Sequence, residues 1–201
     1  MSMQKPSRSS HHFMVILGLL AIAVLFDETG PLMLGISQRS ASQQVNAAAS
    51  DSDNMDPTLL QEVMPVADSF SEKQGQPPVF RAYRAIPNSD EQMLVGYVFL
   101  TADMPPQEVG YSGPIEVLVG MDMTGTLTGI KVLHYIETLR RLWGDFLATT
   151  PGYQEQFAGK AISEAFREGR DVDGIVRATV TVKAMSRGIR NSARRVARAY
   201  L

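Results

Sequence analysis

The chain contains no cysteine in its 201 residues. That absence excludes a disulfide, a cysteine-ligated iron–sulfur cluster, a thiol nucleophile and a cysteine for lipid anchoring. It does not decide the compartment, since an exported protein can also lack cysteine. Histidine is almost as scarce, with three residues, and His134 is the only one outside the N-terminal stretch. No cluster with metal-ligand spacing can be built from it. Neither a Ser-His-Asp constellation nor a glycine-rich nucleotide loop follows from any spacing in the chain. A large excess of either charge is also missing, with 19 Lys and Arg against 21 Asp and Glu. The formal net charge is −2, which predicts no nucleic acid or other polyanion as an overall partner. The body still has ~150 residues, enough to bury roughly 70% of its extended surface without covalent staples.

One long apolar run is present, Phe13 to Phe26, after Lys5, Arg8, His11 and His12. It has the length of a signal-peptide core and is short for a spanning helix of ~20 residues. Asp27 and Glu28 interrupt it, and a small-residue site at Ala47-Ala48-Ala49 lies well downstream. Two readings stay open for residues 1–36: a removed signal peptide and an uncleaved membrane anchor. Both predict a body exported to the outer face of the cytoplasmic membrane. Residues 37–54 are rich in Ser, Gln, Asn, Ala and Asp, which cannot bury enough apolar surface to order themselves. They read as a flexible linker, leaving 55–201 as the domain.

Asp56-Pro57 supplies a cap and a first-turn proline for a short helix with Leu59, Leu60, Val63 and Met64 on one face. Strands are expected over 79–83, 93–100, 115–121 and 127–133. The last two flank Asp122-Met123-Thr124-Gly125, a hairpin turn with glycine free for positive φ. Helical patterns follow over 139–147, 153–157 and 161–166. The final helix runs from about Thr181 to Tyr200 with Met185, Ile189, Ala193, Val196 and Tyr200 down one face. Its other faces carry Lys183, Arg187, Arg190, Arg194, Arg195 and Arg198, expected as a solvated surface. Strands followed by helices around a central hairpin imply an α+β fold, a small antiparallel sheet packed against helices.

The segment Asp173 to Thr181, DGIVRATVT, lies where a phosphate would be favoured. Thr179 falls one or two residues before the final helix, whose first N–H groups are unpaired and whose dipole attracts negative charge. Lys183 and Arg187 lie within the first turns, and Thr181 is placed to cap the helix. The plainer alternative is a strand end and an N-cap without chemistry.

Three further segments carry a resemblance. Gly110-Tyr111-Ser112-Gly113-Pro114-Ile115, the hairpin VGMDMTGTLTG from Val119 to Gly129, and His134-Tyr135-Ile136-Glu137-Thr138 occur in that order. Together they resemble the FMN-binding domain family, which includes the flavin-carrying G component of Rnf complexes and the C component of sodium-pumping NADH:quinone dehydrogenase. The GYVFLTAD and GYSGPIEVLVG stretches are similar to the denitrification flavoproteins of the NosR/NirI type. The resemblance implies that Asp173, Ala178, Thr179 and Thr181 match an acceptor pattern, roughly D-x-x-(S/T)-G-A-T-x-T. There a flavin transferase esterifies FMN phosphate onto the threonine, here Thr179. Val176 replaces the usual Ser or Thr, and Arg177 replaces the usual Gly. Tyr111 and Gly113 belong to the G-Y-x-G-x-I segment, and Glu137 and Thr138 are implied to line the isoalloxazine pocket. Leu139 to Gly144 replaces a Pro-Gly-x-Gly loop. Trp143 within it reads first as a core aromatic and second as a ring-stacking one. Arg140 and Arg141 read as solvated, or as reaching the flavin.

The resemblance implies an exported electron-transfer flavoprotein, more a relay than an enzyme with its own substrate. Lacking cysteine-bound clusters, it would pass electrons between a separate membrane redox protein and an extracytoplasmic acceptor. The alternative is a flavin-free binding or assembly module that retains the fold, and a third reading is a flavoenzyme with its own small substrate.

Overall fold

The structure, a computed structural model, describes residues 55–201. The expected signal or anchor segment and the linker lie outside the described residues. Among the described residues, no helix is long and apolar enough to cross a membrane.

Helix α1, Pro57–Val63, starts as its sequence dictates. Asp56 Oδ1 accepts the Thr58 N–H at 2.8 Å, and proline occupies the first turn. Five antiparallel strands follow in simple order: β1 Ser69–Phe70, β2 Phe80–Ala85, β3 Gln92–Leu100, β4 Ile115–Asp122 and β5 Leu127–Tyr135. The pair Ser69–Phe70 was not legible in the sequence, because two residues carry no period. The β4–β5 hairpin closes as expected. Asp122 Oδ1 accepts from the Thr124 N–H, the Thr124 hydroxyl and the Thr126 N–H, and Gly125 takes φ +78°. Burial alone would raise the Asp122 pKa, but these hydrogen bonds outweigh it and hold the carboxyl below its ordinary value.

The sheet is sandwiched. One face, with Phe80, Ala82, Val98, Leu100 and Leu118, packs on Leu60, Val63 and Met64 of the α1 region. Fully burying one such side chain stabilises the fold by about 1.5–3 kcal/mol. Close approach here depends on glycine. A Cβ on Gly120 would lie 2.2 Å from the Val63 carbonyl oxygen, and the Thr128 hydroxyl donates to that same carbonyl. The opposite face, with Tyr97, Phe99, Val117, Val119 and Met121, packs on the long helix α4, Thr179–Tyr200. The far end of α4 is fixed to the body. Tyr200 stacks on Tyr97 with centroids 5.1 Å apart, and its hydroxyl donates to the Pro77 carbonyl at 2.7 Å.

Three helical expectations are corrected. The 139–147 stretch is two one-turn helices, α2 Arg140–Trp143 and α3 Phe146–Thr149, because Gly144 between them takes φ +67°. The 153–157 stretch is a single 3₁₀ turn, Glu155–Phe157. The 161–166 stretch is not helical. Its carbonyls are taken instead by arginines of α4: Arg194 donates to Ile162 and Glu164, and Arg190 to Ala165. Phe166 leaves the helical region altogether at φ +51°. The same contacts correct the reading of the basic helix face, whose arginines partly clamp this loop rather than standing free in solvent.

Candidate functional site

The N-terminal end of α4 meets the chain leaving β5 and the loop before β4. Helix α4 begins at Thr179 itself, with Ala178 as its cap residue and no side chain capping it. The first N–H groups therefore have no partner within the helix. Thr179 is exposed at this end. The expectation that Thr181 is the N-cap is corrected. Thr181 sits inside the first turn, 2% exposed, and its hydroxyl donates to Glu137 Oε1 at 2.7 Å. The same oxygen accepts the Tyr111 N–H at 2.8 Å. One carboxylate, itself buried, thus ties together three segments that are far apart in sequence. Gly110 makes room for it, since a Cβ there would fall 2.4 Å from Glu137 Oε1. Among the described residues no protein donor reaches Glu137 Oε2.

These segments enclose a cleft of about 370 Å³, lined by Tyr111, Glu137, Thr138, Leu139, Arg177, Ala178, Thr179, Val180 and Thr181. That volume lies within the range of small-molecule and cofactor sites. Its chemistry is graded. Apolar surface from Tyr111, Leu139 and Val180 stands beside the open helix end and the Arg177 guanidinium. Tyr111 is 73% exposed, an aromatic face offered to solvent. Arg177 takes φ +65°, a backbone conformation natural to glycine and costly for other residues.

The loop after Thr138 is organised around Tyr135. Its hydroxyl donates to Asp145 Oδ1 at 2.8 Å, and Arg140 lies 4.7 Å above the ring. Burial, with the Asp145 hydrogen bond, pushes the Tyr135 phenol up to about 12. Arg140 also donates to the Tyr135 carbonyl and pairs with Asp145 at 3.4 Å. It is therefore turned into its own loop with 40% of its side chain still exposed, and it does not line the cleft. Trp143 is not a core aromatic: it is 41% exposed and touches Phe146 edge-on. Neither Trp143 nor Arg141 lines the cleft.

Residues 110–194, which include every residue lining this cleft, match the family model described as the FMN-binding domain. This stretch belongs to the FMN-binding domain family. The chain is 33% identical over 90 residues to the G component of the ion-translocating oxidoreductase complex of Escherichia coli (strain K12), covering 41% of this chain and 43% of that protein. It is 29% identical over 107 residues to the G component of the Na(+)-translocating ferredoxin:NAD(+) oxidoreductase complex of Acetobacterium woodii, covering 49% and 48%. The corresponding ion-translocating oxidoreductase component of Stutzerimonas stutzeri is 28% identical over 147 residues, covering 66% and 58%. The chain spans about half the length of the curated relatives it matches.

Within the FMN-binding domain, the structure brings Tyr111, Glu137, Thr138, Arg177, Ala178, Thr179 and Thr181 to one cleft. Three expected site residues stand outside it. Asp173 is exposed, and its N–H donates to Gln156 Oε1. Gly113 closes a tight turn, its carbonyl accepting the Gly110 N–H at 2.8 Å. Lys183 faces Glu168, with Nζ 3.9 Å from Oε2. Sequence reasoning missed Leu139 and Val180 as lining residues, and Gly110 as the residue that lets Glu137 fit. Gly110 left a signal in its spacing to Tyr111, while Leu139 and Val180 left none.

The residues present suit FMN. The uncapped helix end and Arg177 would hold a phosphate, and Tyr111, Leu139 and Val180 offer surface for a planar ring. Glu137 Oε2 is an unused acceptor for a ring N–H.

Proposed function

We propose that the domain carries FMN through a phosphoester to Thr179 and serves as an electron-transfer flavoprotein at the outer face of the cytoplasmic membrane. The observation that carries this reading is the position of Thr179: an exposed hydroxyl at the first turn of α4, opening on the cleft that Glu137 organises. Attachment, performed by a flavin transferase, forms the Thr179 Oγ1–P bond as a P–O bond between the flavin phosphate and the donor's leaving group breaks; that group takes up the hydroxyl proton, and the chain gains FMN less one water. The unpaired N–H groups of the α4 terminus would favour the ester's negative charge, by up to ~2 kcal/mol where such a site is partly buried. Arg177 adds a guanidinium on the same side. Asp173, outside the cleft and exposed, is available to the transferase rather than to the bound cofactor.

The bound flavin supplies one-electron chemistry between a membrane redox partner and an acceptor outside the cytoplasm. The chain's own residues do the rest. Glu137 fixes Tyr111 and Thr181 against each other, so the cleft and the attachment residue keep one geometry. Tyr111, Leu139 and Val180 shield the ring side from water. The relatives' names, as components of ion-translocating oxidoreductase complexes, support a membrane-bound partner.

The test is the intact mass of the full chain produced with a flavin transferase, beside its Thr179→Ala variant. The expected result is a gain equal to FMN less one water, absent from the variant. Unmodified mass with no retained flavin absorbance would overturn the reading and leave a flavin-free binding module on the same fold.

A further inference from the structure

Helix α4 presents a stripe of cations in line with Thr179. Thr179, Lys183, Arg187, Arg190 and Arg194 recur at helical spacing and so share one face. Arg194 lies roughly 22 Å along the axis from Thr179 at 1.5 Å per residue. The loop that packs beside this face adds Arg167 and Arg170. Together they border two adjoining grooves, of about 490 and 290 Å³, which share Arg167 and Arg190.

Charge here is only partly neutralised. Lys183 and Arg187 have carboxylates nearby, Glu168 and Glu108. Arg190 and Arg194 spend their donors on neutral acceptors, the carbonyls of residues 162–165 and the Asn191 amide. Those bonds hold the two guanidiniums in place. The side chains of Arg167 and Arg170 make no hydrogen bond or ion pair among the described residues. Meanwhile the acids of the groove are already used. Asp171 accepts the Phe166 and Arg167 N–H groups, and Glu164 takes the Ala161 N–H and Lys160. Four guanidiniums therefore face one groove without a carboxylate partner, on a chain whose formal net charge is −2.

We propose that this arginine groove docks an acidic face of the protein that exchanges electrons with the flavin, a partner whose carboxylates enter between Arg167, Arg170, Arg190 and Arg194. The proposal rests on the flavoprotein reading above. A protein fits better than an anionic lipid surface. The groove is concave, and Glu164, Glu168 and Asp171 lie within it. A flat layer of headgroups would be repelled by those acids, whereas a folded partner can match both signs. Shared placement on one helix face then sets the partner's orientation towards Thr179. Electrostatic complementarity of this kind raises the association rate and fixes register.

Arg167 and Arg170 are the residues to change, because their side chains hold nothing else. The probe is a reduced small acidic ferredoxin, mixed with FMN-loaded full chain in a stopped-flow instrument over a series of ionic strengths. The Arg167→Glu/Arg170→Glu variant is expected to lower the second-order rate of flavin reduction about tenfold or more at low salt. Arg167→Ser/Arg170→Ser falls between, and the difference closes at high salt. Flavin content, melting temperature and reduction by dithionite stay unchanged. Equal ferredoxin rates in native and reversed chains overturn the proposal. So does loss of binding to phosphatidylglycerol vesicles in a variant whose ferredoxin rate is native, which would make the groove a lipid site. Anisotropy of labelled oxidised ferredoxin against flavin-free chain reads docking without the cofactor. Failure of flavin attachment is thereby distinguished from failure of the groove.

Discussion

Replacing Thr181 by valine removes one hydroxyl and keeps the side-chain shape. In the structure that hydroxyl is 2.7 Å from Glu137 Oε1 and the residue is 2% exposed. The carboxylate keeps its Tyr111 N–H bond but loses its tie to helix α4. A hydrogen bond to a charged group contributes about 1.5–3 kcal/mol, the upper part of that range applying if water in the cleft does not replace the donor. At roughly 2–4 °C per kcal/mol for a body of this size, Thr181→Val should lower the melting temperature by about 3–12 °C. Thr181→Ser retains the hydroxyl and should lose much less, mainly the buried methyl at about 0.8 kcal/mol.

A double-mutant cycle with Glu137→Gln, read by urea unfolding, separates this from a helix-capping effect. If the two groups act as drawn, the coupling exceeds about 0.5 kcal/mol, the level at which independent sites add. If Thr181 merely capped the helix, its loss would be felt equally with Gln at 137. Additive losses, or a serine variant as unstable as the valine one, would refute the argument that Glu137 pins the first turn of α4.

Arg177→Gly should raise stability by about 1 kcal/mol, or roughly 3 °C, because φ +65° strains every residue except glycine. A destabilised glycine variant in thermal melts would show that the guanidinium holds more than the backbone loses. Gly120→Ala should be far more harmful, since a methyl there would lie 2.2 Å from the Val63 carbonyl oxygen and 2.4 Å from the Thr128 hydroxyl that is bonded to it. Expression of a natively stable alanine variant would contradict the close packing of α1 on the sheet. Stability should also fall in acid. Asp122 and Asp171 have depressed pKa values in the folded chain, from hydrogen bonds that outweigh burial. The unfolded chain therefore takes up more protons in the acid range, and these groups' contribution is present above the ordinary carboxylate value of ~3.9. It is lost as pH falls through their folded values. Asp122→Asn should flatten that part of the urea-midpoint profile, and an unchanged acid limb would count against the hairpin network.

What was legible in the sequence was what short-range chemistry decides. Asp56-Pro57 marks a helix start, Asp122 to Gly125 a tight turn, and the period of Met185, Ile189, Ala193 and Val196 a buried helix face. Each is set by residues within a turn of one another. The misread stretches have partners elsewhere. Ala161, Ile162, Ala165 and Phe166 have helical spacing, yet the backbone oxygens of this stretch bond to arginines about thirty positions later. Thr181 reads locally as a cap, and only the fold brings Glu137, 44 positions earlier, to its hydroxyl. Trp143 reads as core by residue type, but Gly144 turns the chain before the ring can enter. In the site, Tyr111, Glu137, Thr138 and Thr179 could be singled out from ordered motifs. Leu139 and Val180 could not, because apolar residues become lining only once a cleft exists.

The two ends of α4 explain why the candidate attachment residue is a fixed point. At the C-terminal end, Tyr200 is held by Tyr97 and Pro77. Along its length, Arg190 and Arg194 clamp the 162–165 carbonyls. At the N-terminal end, Thr181 is bound to a buried carboxylate that also holds Tyr111. A helix anchored at three levels cannot slide on the sheet without breaking several hydrogen bonds at once. Thr179, exposed on its first turn, is therefore presented by a rigid element rather than by a loop. That suits a site that must be reached by a modifying protein and then hold one geometry against a redox partner. Loosening the Glu137 tie should blur the position of Thr179 without unfolding the sheet, so faster amide exchange in residues 178–182 of Thr181→Val, beside unchanged exchange in β3 and β4, is the expected signature. Uniform acceleration across the sheet would mean that the tie supports the whole fold instead.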